Sequence, residues 1–173
     1  MHKPEFNTTG YPLGYLITFR CYGTWLPGNV RGTVTKYQNG FGQLYLPPDD
    51  DWQDESRSLL KSDPVMLDRA MRKEVSKSIR RTCDCLGWAL YALNVRTNHV
   101  HIVVDVGTAP SSSIVTKFKA YATRDLREKN LWSGEHSPWA SRGSCRYLWH
   151  EEALWKAIDY VIYSQGRDLP GGI

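Results

Sequence analysis

The chain has 173 residues, a length that suits a single domain and leaves enough chain to bury a core. A formal net charge of +4 and a pI near 8.9 permit nucleic-acid binding without requiring it. No apolar run approaches the ~20 residues of a membrane helix, and the first residues, Met1 to Glu5, lack the apolar stretch of a signal peptide. Cys21, Cys83, Cys85 and Cys145 show neither Cys-x-x-Cys zinc spacing nor the density of a secreted disulfide scaffold. Reduced thiols in a cytoplasmic protein with no membrane partner are expected. Seven Trp and ten Tyr offer faces that could stack on unpaired bases, although each taken singly is better placed in a core.

In chain order, Tyr15 to Cys21 is β-branched and aromatic enough for a first, central strand, entered after the turn-formers Gly10, Pro12 and Gly14. From Gly23 to Ser62 the pattern breaks up around Gly28, Gly32, Gly40, Gly42 and Pro47-Pro48, which reads as a long excursion with room for one hairpin. The run Asp49-Asp50-Asp51 within it reads as a solvated turn. Asp63-Pro64 looks like an N-cap followed by Pro at the first helical position, and Leu67, Met71, Val75, Ile79 and Cys83 recur every four residues, so a long helix is predicted to run to about Gly87.

Trp88 to Arg96 is predicted as the second strand, Thr97-Asn98 as a tight turn, and His99 to Val106 as the third strand. Ser111 to Ser113 offer caps for a second long helix with the apolar stripe Ile114, Phe118, Tyr121, Ala122 and Leu126. Its off-stripe cations Lys117, Arg124 and Arg127 are candidate phosphate contacts, or simply a solvated face. Arg142 to Trp149 reads as a short fourth strand, and Glu151 to about Ser164 as a last helix with the stripe Leu154, Ile158, Val161 and Ile162. The order βαββαβ plus a terminal helix predicts an α+β, ferredoxin-like (split βαβ, RRM-like) antiparallel sheet. Helices would cover one face, leaving the other for ligands and for the last helix to cross. One domain over 1–173 is expected.

The segment His99-Val100-His101-Ile102-Val103 carries the most chemistry. A strand sends i and i+2 to one face, so His99, His101, Val103 and Asp105 share a side opposite Val100, Ile102, Val104 and Val106. The apolar side belongs in the core, which leaves two imidazoles converging on the ligand face, where they could hold a divalent ion or merely pack.

His-hydrophobic-His on this strand followed by a tyrosine-bearing C-terminal helix resembles the single-tyrosine HUH transposases, including the REP-associated tyrosine transposases. Gly23-Thr24-Trp25-Leu26-Pro27-Gly28, Asn98-His99-Val100-His101, Gly143-Ser144 with Arg146-Tyr147-Leu148-Trp149, and Tyr160-Val161 with Gln165-Gly166 match family patterns in order, from about Tyr15 to Gly166. The resemblance implies cleavage and joining of single-stranded DNA carrying a hairpin. It also implies a Mg²⁺ or Mn²⁺ cofactor on His99 and His101, and Tyr160 as the nucleophile that takes up the 5′ phosphate. Relatives occur as monomers and as intertwined homodimers, and association with the nucleoid would follow from a DNA substrate.

Two positions depart from that pattern. Family members place Gln or Asn four residues after the tyrosine as third metal ligand, where this chain has Ser164. Gln165 comes five residues after Tyr160, roughly 140° around a regular helix, and would reach the same ion only if the helix unwinds, which Gly166 allows. Tyr163 is the alternative nucleophile. Other function classes remain at this level: a non-catalytic single-stranded nucleic-acid binder on an RRM-like sheet, whose aromatic signature is missing, and a histidine-triad nucleotide hydrolase, whose third histidine is replaced by Val103.

Overall fold

The computed structural model describes residues 10–28 and 47–166. Within them the order is β1 (Gly14–Cys21), α1 (Asp50–Ser58), α2 (Arg69–Leu86), β2 (Ala89–Val95), β3 (His99–Asp105), α3 (Ser111–Glu128), β4 (Trp139–Leu148) and α4 (Glu151–Tyr163). The strands form one antiparallel sheet in the order β2-β3-β1-β4, the ferredoxin-like arrangement that alternation of strands and helices predicts. Strand alternation splits the interior into two parts. Ile17, Phe19, Val100, Ile102 and Val104 pack beneath α2 and α3, whose Val75, Ile79, Ile114, Phe118, Ala122 and Leu126 are equally inaccessible to solvent. On the opposite face Ala92, Val103 and Leu148 pack against Ala157 and Val161 of α4.

Several local expectations need correction. The acidic run is no turn: the Asp49 side chain accepts the Trp52 amide at 2.9 Å and caps α1, and Asp50 and Asp51 occupy its first turn, where carboxylates favour the helix dipole. No residue of α1 is buried, so no apolar period advertised it. Of the excursion from Gly23 to Ser62, within which a hairpin was expected, residues 29–46 lie outside the described residues. Asp63-Pro64 does not start α2; Asp68 does, its side chain accepting from Met71 N–H at 2.8 Å. The chain before it is extended, with Val65 N–H donating to Tyr22 O at 2.9 Å and Leu67 N–H to Thr97 O at 2.6 Å. Leu67 belongs to the helix by spacing but is buried as an anchor of this segment. Nor do the serines cap α3, which starts after Pro110 with no side-chain cap. Strand β4 begins three residues early, at Trp139, and on α4 the buried stripe is Ala157 and Val161 with Leu154 and Ile158 beside them, while Ile162 is turned outward.

The helical layer is joined by an ion pair. Asp125 of α3, with a side chain only 2% exposed, meets the Arg81 guanidinium of α2, and Arg124 Nε lies 3.5 Å from its other oxygen. A buried carboxylate stripped of its partner carries the desolvation penalty without the compensation. Arg81→Met should therefore destabilise the protein by about 2 kcal/mol, more than Asp125→Leu, with the double variant recovering most of the loss. Urea unfolding of the three variants checks this; additive losses would show that the pair is not coupled.

Candidate active site

β1 and β3 pair in a register that sets Thr18 opposite His101 and Arg20 opposite His99, so these four side chains share the face that α4 crosses. The two imidazole centroids are 4.7 Å apart, and the Tyr160 ring of α4 stands 5.4 Å from that of His101. All three line a cavity of about 860 Å³ that also takes in Arg20, Trp25 and Gln165. Past Tyr160 a second cavity of about 590 Å³ shares Thr18 and His101 with the first and extends to Arg146, His150 and Lys156. The tyrosine thus stands where two open stretches of one cleft meet.

The rings are held in defined orientations. His99 Nδ1 is 2.6 Å from Asn98 Oδ1, an acceptor, so the proton lies on Nδ1 and any ligating role falls to Nε2. His101 Nδ1 is 2.7 Å from Thr18 Oγ1, which likewise directs Nε2 to the cleft. Burial, with the neighbouring charges of His99 and Arg20, pushes the His101 pKa down to about 4, so the ring is neutral near pH 7 and keeps a lone pair for an electrophile.

Gln165 joins them because α4 stops in time. The helix ends at Tyr163, Ser164 is its cap, and Gly166 has φ 80°, a conformation costly for a residue with a Cβ. Released from helical geometry, the Gln165 amide nitrogen donates to Tyr160 O at 3.0 Å, which leaves the amide oxygen for the cavity that Gln165 lines with His99 and His101. His99, His101 and Gln165 therefore present two imidazole nitrogens and one carboxamide oxygen, a donor set that fits a Mn²⁺-like or Mg²⁺-like ion completed by substrate oxygens. Among the described residues no three His, Cys, Asp or Glu side chains gather into an alternative site.

Other sequence candidates are placed differently. Tyr163 is 77% exposed against 43% for Tyr160 and lines neither cavity. Lys117, Arg124 and Arg127 sit on α3, across the sheet from the histidines. The Lys117 ammonium lies 5.6 Å from the Trp88 ring centroid, and Arg124 pairs with Asp125 and Glu128. Arg127 donates to the carbonyls of Gly134, Glu135 and His136. The cleft's own cations, Arg20, Arg96, Arg146 and Lys156, escaped the sequence reading. For Arg20 the signal was present, since Tyr15, Ile17, Phe19 and Cys21 alternate into the core and so send Leu16, Thr18 and Arg20 to the histidine face.

Comparison with known proteins agrees with this fold. A model of the family described as "Transposase IS200 like" matches residues 60–152, over half the chain, including the His-x-His strand. The chain belongs to the IS200-like transposase family. A crystal structure of a transposase candidate from Deinococcus radiodurans R1 superimposes with a TM-score of 0.50 at 14% identity, covering 93% of this chain and 95% of the other, a likeness of fold. No curated protein matches the sequence. Among the described residues no helix of this transposase is long and apolar enough to cross a membrane.

The position of Tyr160 depends on how α4 is tied to the sheet. Asn94 of β2 donates from its side-chain nitrogen to Val161 O at 3.0 Å, next to the nucleophile candidate. Asn94→Ala should cost about 1 kcal/mol and raise amide exchange in α4 selectively. Hydrogen exchange read by mass spectrometry tests this; unchanged protection of α4 would show that the bond does not hold the helix.

Proposed function

We propose that the protein nicks and rejoins single-stranded DNA through a covalent 5′-phosphotyrosine on Tyr160, probing a strand laid along the cleft. The observation that carries this reading is the Tyr160 ring beside an oriented imidazole pair in one open cleft of a transposase-family fold. A protonated phenol is a weak nucleophile and needs an activated phosphate. His99, His101 and Gln165 are the residues that would hold a divalent ion, Mg²⁺ or Mn²⁺, and when bound it supplies Lewis-acid polarisation of the phosphate and charge stabilisation at the leaving oxygen.

The chain's own groups do the rest. Asn98 fixes the His99 tautomer, Asn98 and Thr18 together orient the two rings, and the Tyr160 carbonyl steadies the Gln165 amide. In the first step the Tyr160 oxygen forms a bond to phosphorus, the P–O3′ bond breaks, the phenolic proton passes to solvent, and O3′ leaves as a hydroxyl after protonation. Rejoining reverses this: a 3′ hydroxyl attacks the phosphotyrosine and the phenol is released. The number of phosphodiester bonds is conserved, so strand transfer needs no nucleotide cofactor. Arg20, Arg96, Arg146 and Lys156 are suitably signed for the backbone of the strand, while Lys117, Arg124 and Arg127 would meet only a hairpin stem that passes round the sheet to α3. A hairpin substrate supplies such a stem beside an accessible single strand.

Labelled hairpin-bearing single-stranded DNA incubated with Mn²⁺ should yield a denaturation-resistant adduct that maps to Tyr160. Tyr160→Phe should abolish it with DNA binding changed less than about threefold, because ring and packing remain, while Tyr163→Phe should retain it. His99→Ala with His101→Ala should abolish cleavage at a stability cost of about 1–2 kcal/mol. Adduct on Tyr163 would mean that the other tyrosine reacts, and binding with no adduct on either would favour a non-catalytic single-strand-binding module.

Tyr160 stands beside His101 of its own chain, and the proposal takes this arrangement within one chain as the one that reacts. Mixing His99→Ala protein with Tyr160→Phe protein should restore no adduct. Recovery of a sizeable fraction of wild-type yield would establish exchange of α4 between two copies.

A further inference from the structure

The segment Gly23-Thr24-Trp25 has no part in the chemistry above, yet it is built into the cleft. Thr24 Oγ1 donates to Cys21 O at 2.9 Å and to Asn98 O at 3.3 Å, which clamps the segment between the end of β1 and the turn bearing His99. Gly23 has φ +70°, and a Cβ there would lie 3.0 Å from Pro64 Cα, so the loop is also packed tightly against the chain leading to α2. Such anchoring is more than a surface loop needs.

The anchored loop carries a tryptophan that joins neither apolar cluster of the interior. Trp25 is half-buried and lines the same cavity as His99, Tyr160 and Gln165. The guanidinium carbon of Arg20 lies 3.3 Å from its ring centroid, a stacked contact that holds a planar cation and a planar indole together at the wall of the cleft. Arg20 is also the β1 residue opposite His99, and neighbouring strands lie about 5 Å apart, so the stack is within a nucleotide of the imidazole pair. Aromatic rings and Arg guanidinium planes are the surfaces on which unpaired bases are received.

Resting on the strand-cleavage reading above, we propose that the Trp25–Arg20 stack is a nucleobase subsite. It receives the base of one nucleotide adjacent to the scissile phosphate and sets which phosphate is presented to Tyr160. Stacking accepts any base because each has a π-face, so the subsite measures position along the strand rather than sequence.

The test places a single abasic residue in turn at each of three positions on either side of the cleavage point and measures binding of each oligonucleotide to Tyr160→Phe protein by fluorescence anisotropy. Loss of the base at one position should weaken binding about tenfold, the scale of one base–aromatic stack. In protein that also carries Trp25→Leu the same abasic substitution should have less than a twofold effect. In parallel, 5-iodouracil at that position should photocrosslink to Trp25 in protein that retains the tryptophan, an assay independent of whether Trp25→Leu folds. Equal sensitivity to base removal with and without Trp25, or crosslinks that map elsewhere at all six positions, would overturn the subsite. These outcomes separate from the fate of the cleavage reading: adduct formation with no Trp25 dependence sinks the subsite alone, whereas Trp25-dependent binding with no adduct from wild-type protein sinks the chemistry alone.

Discussion

The pairing of β1 with β3 is the constraint on which the rest depends. Both strands are central, and each has one face sealed under α2 and α3, where Ile17, Phe19, Val100, Ile102 and Val104 have no accessible surface. A slip of one residue would turn every side chain to the opposite face, driving His99, His101 and Arg20 into an apolar layer with no partners for their polar atoms. Burial of that one face therefore does two things. It stabilises the sheet, and it fixes Thr18 against His101 and Arg20 against His99 without any contribution from the site itself.

The second constraint is the length of α4. Its inner residues, Ala157 and Val161, dock on Val103 and Leu148, which fixes the roll of the helix and so the direction of Tyr160. A longer regular helix would carry Gln165 about 140° away from the tyrosine. Ending at Tyr163, with Ser164 and Gly166 leaving helical geometry, it lets the Gln165 side chain turn back to the Tyr160 carbonyl and line one cavity with His101. In the proposed site, Gln165 stands one residue out of the spacing usual for the third ligand, and the helix end would accommodate it without a shift of Tyr160.

What could be read in advance follows from where periodicity is enforced. The His-x-His strand, the four-residue spacing of Met71, Val75, Ile79 and Cys83, and the stripe of Ile114, Phe118, Ala122 and Leu126 all face the main interior, and burial there leaves no freedom in pattern. Errors collect where burial is absent or one-sided. Helix α1 buries nothing, so only its capping chemistry could have revealed it. The start of α2 was misjudged because Asp63-Pro64 and Asp68 are both plausible caps, and the choice is made by tertiary pairing of Val65 with Tyr22 and of Leu67 with Thr97. On α4 the outward Ile162 shows that an apolar residue next to a stripe need not belong to it. The cleft residues were legible in part: Arg20 followed from alternation in β1, whereas Trp25 and Arg146 depend on how a loop and an edge strand approach the histidines, which no local pattern encodes.

Arg20 also helps to keep the His101 imidazole neutral in a cleft lined by several cations. Its charge, with that of His99 and the burial of the ring, works against protonation of His101, while the same charge favours the approach of a polyanionic strand. The two effects are compatible because they act on opposite partners: a cation beside imidazole disfavours a second positive charge, and the same cation beside phosphate is attracted to it. Stacking on Trp25 at 3.3 Å restrains the guanidinium, so the field is fixed before the strand arrives and needs little reorganisation when it does. The residue opposite His99 thus links the sheet register to the electrostatics of the cleft, and a change in that register would remove both the oriented imidazoles and the charge that helps to keep His101 neutral.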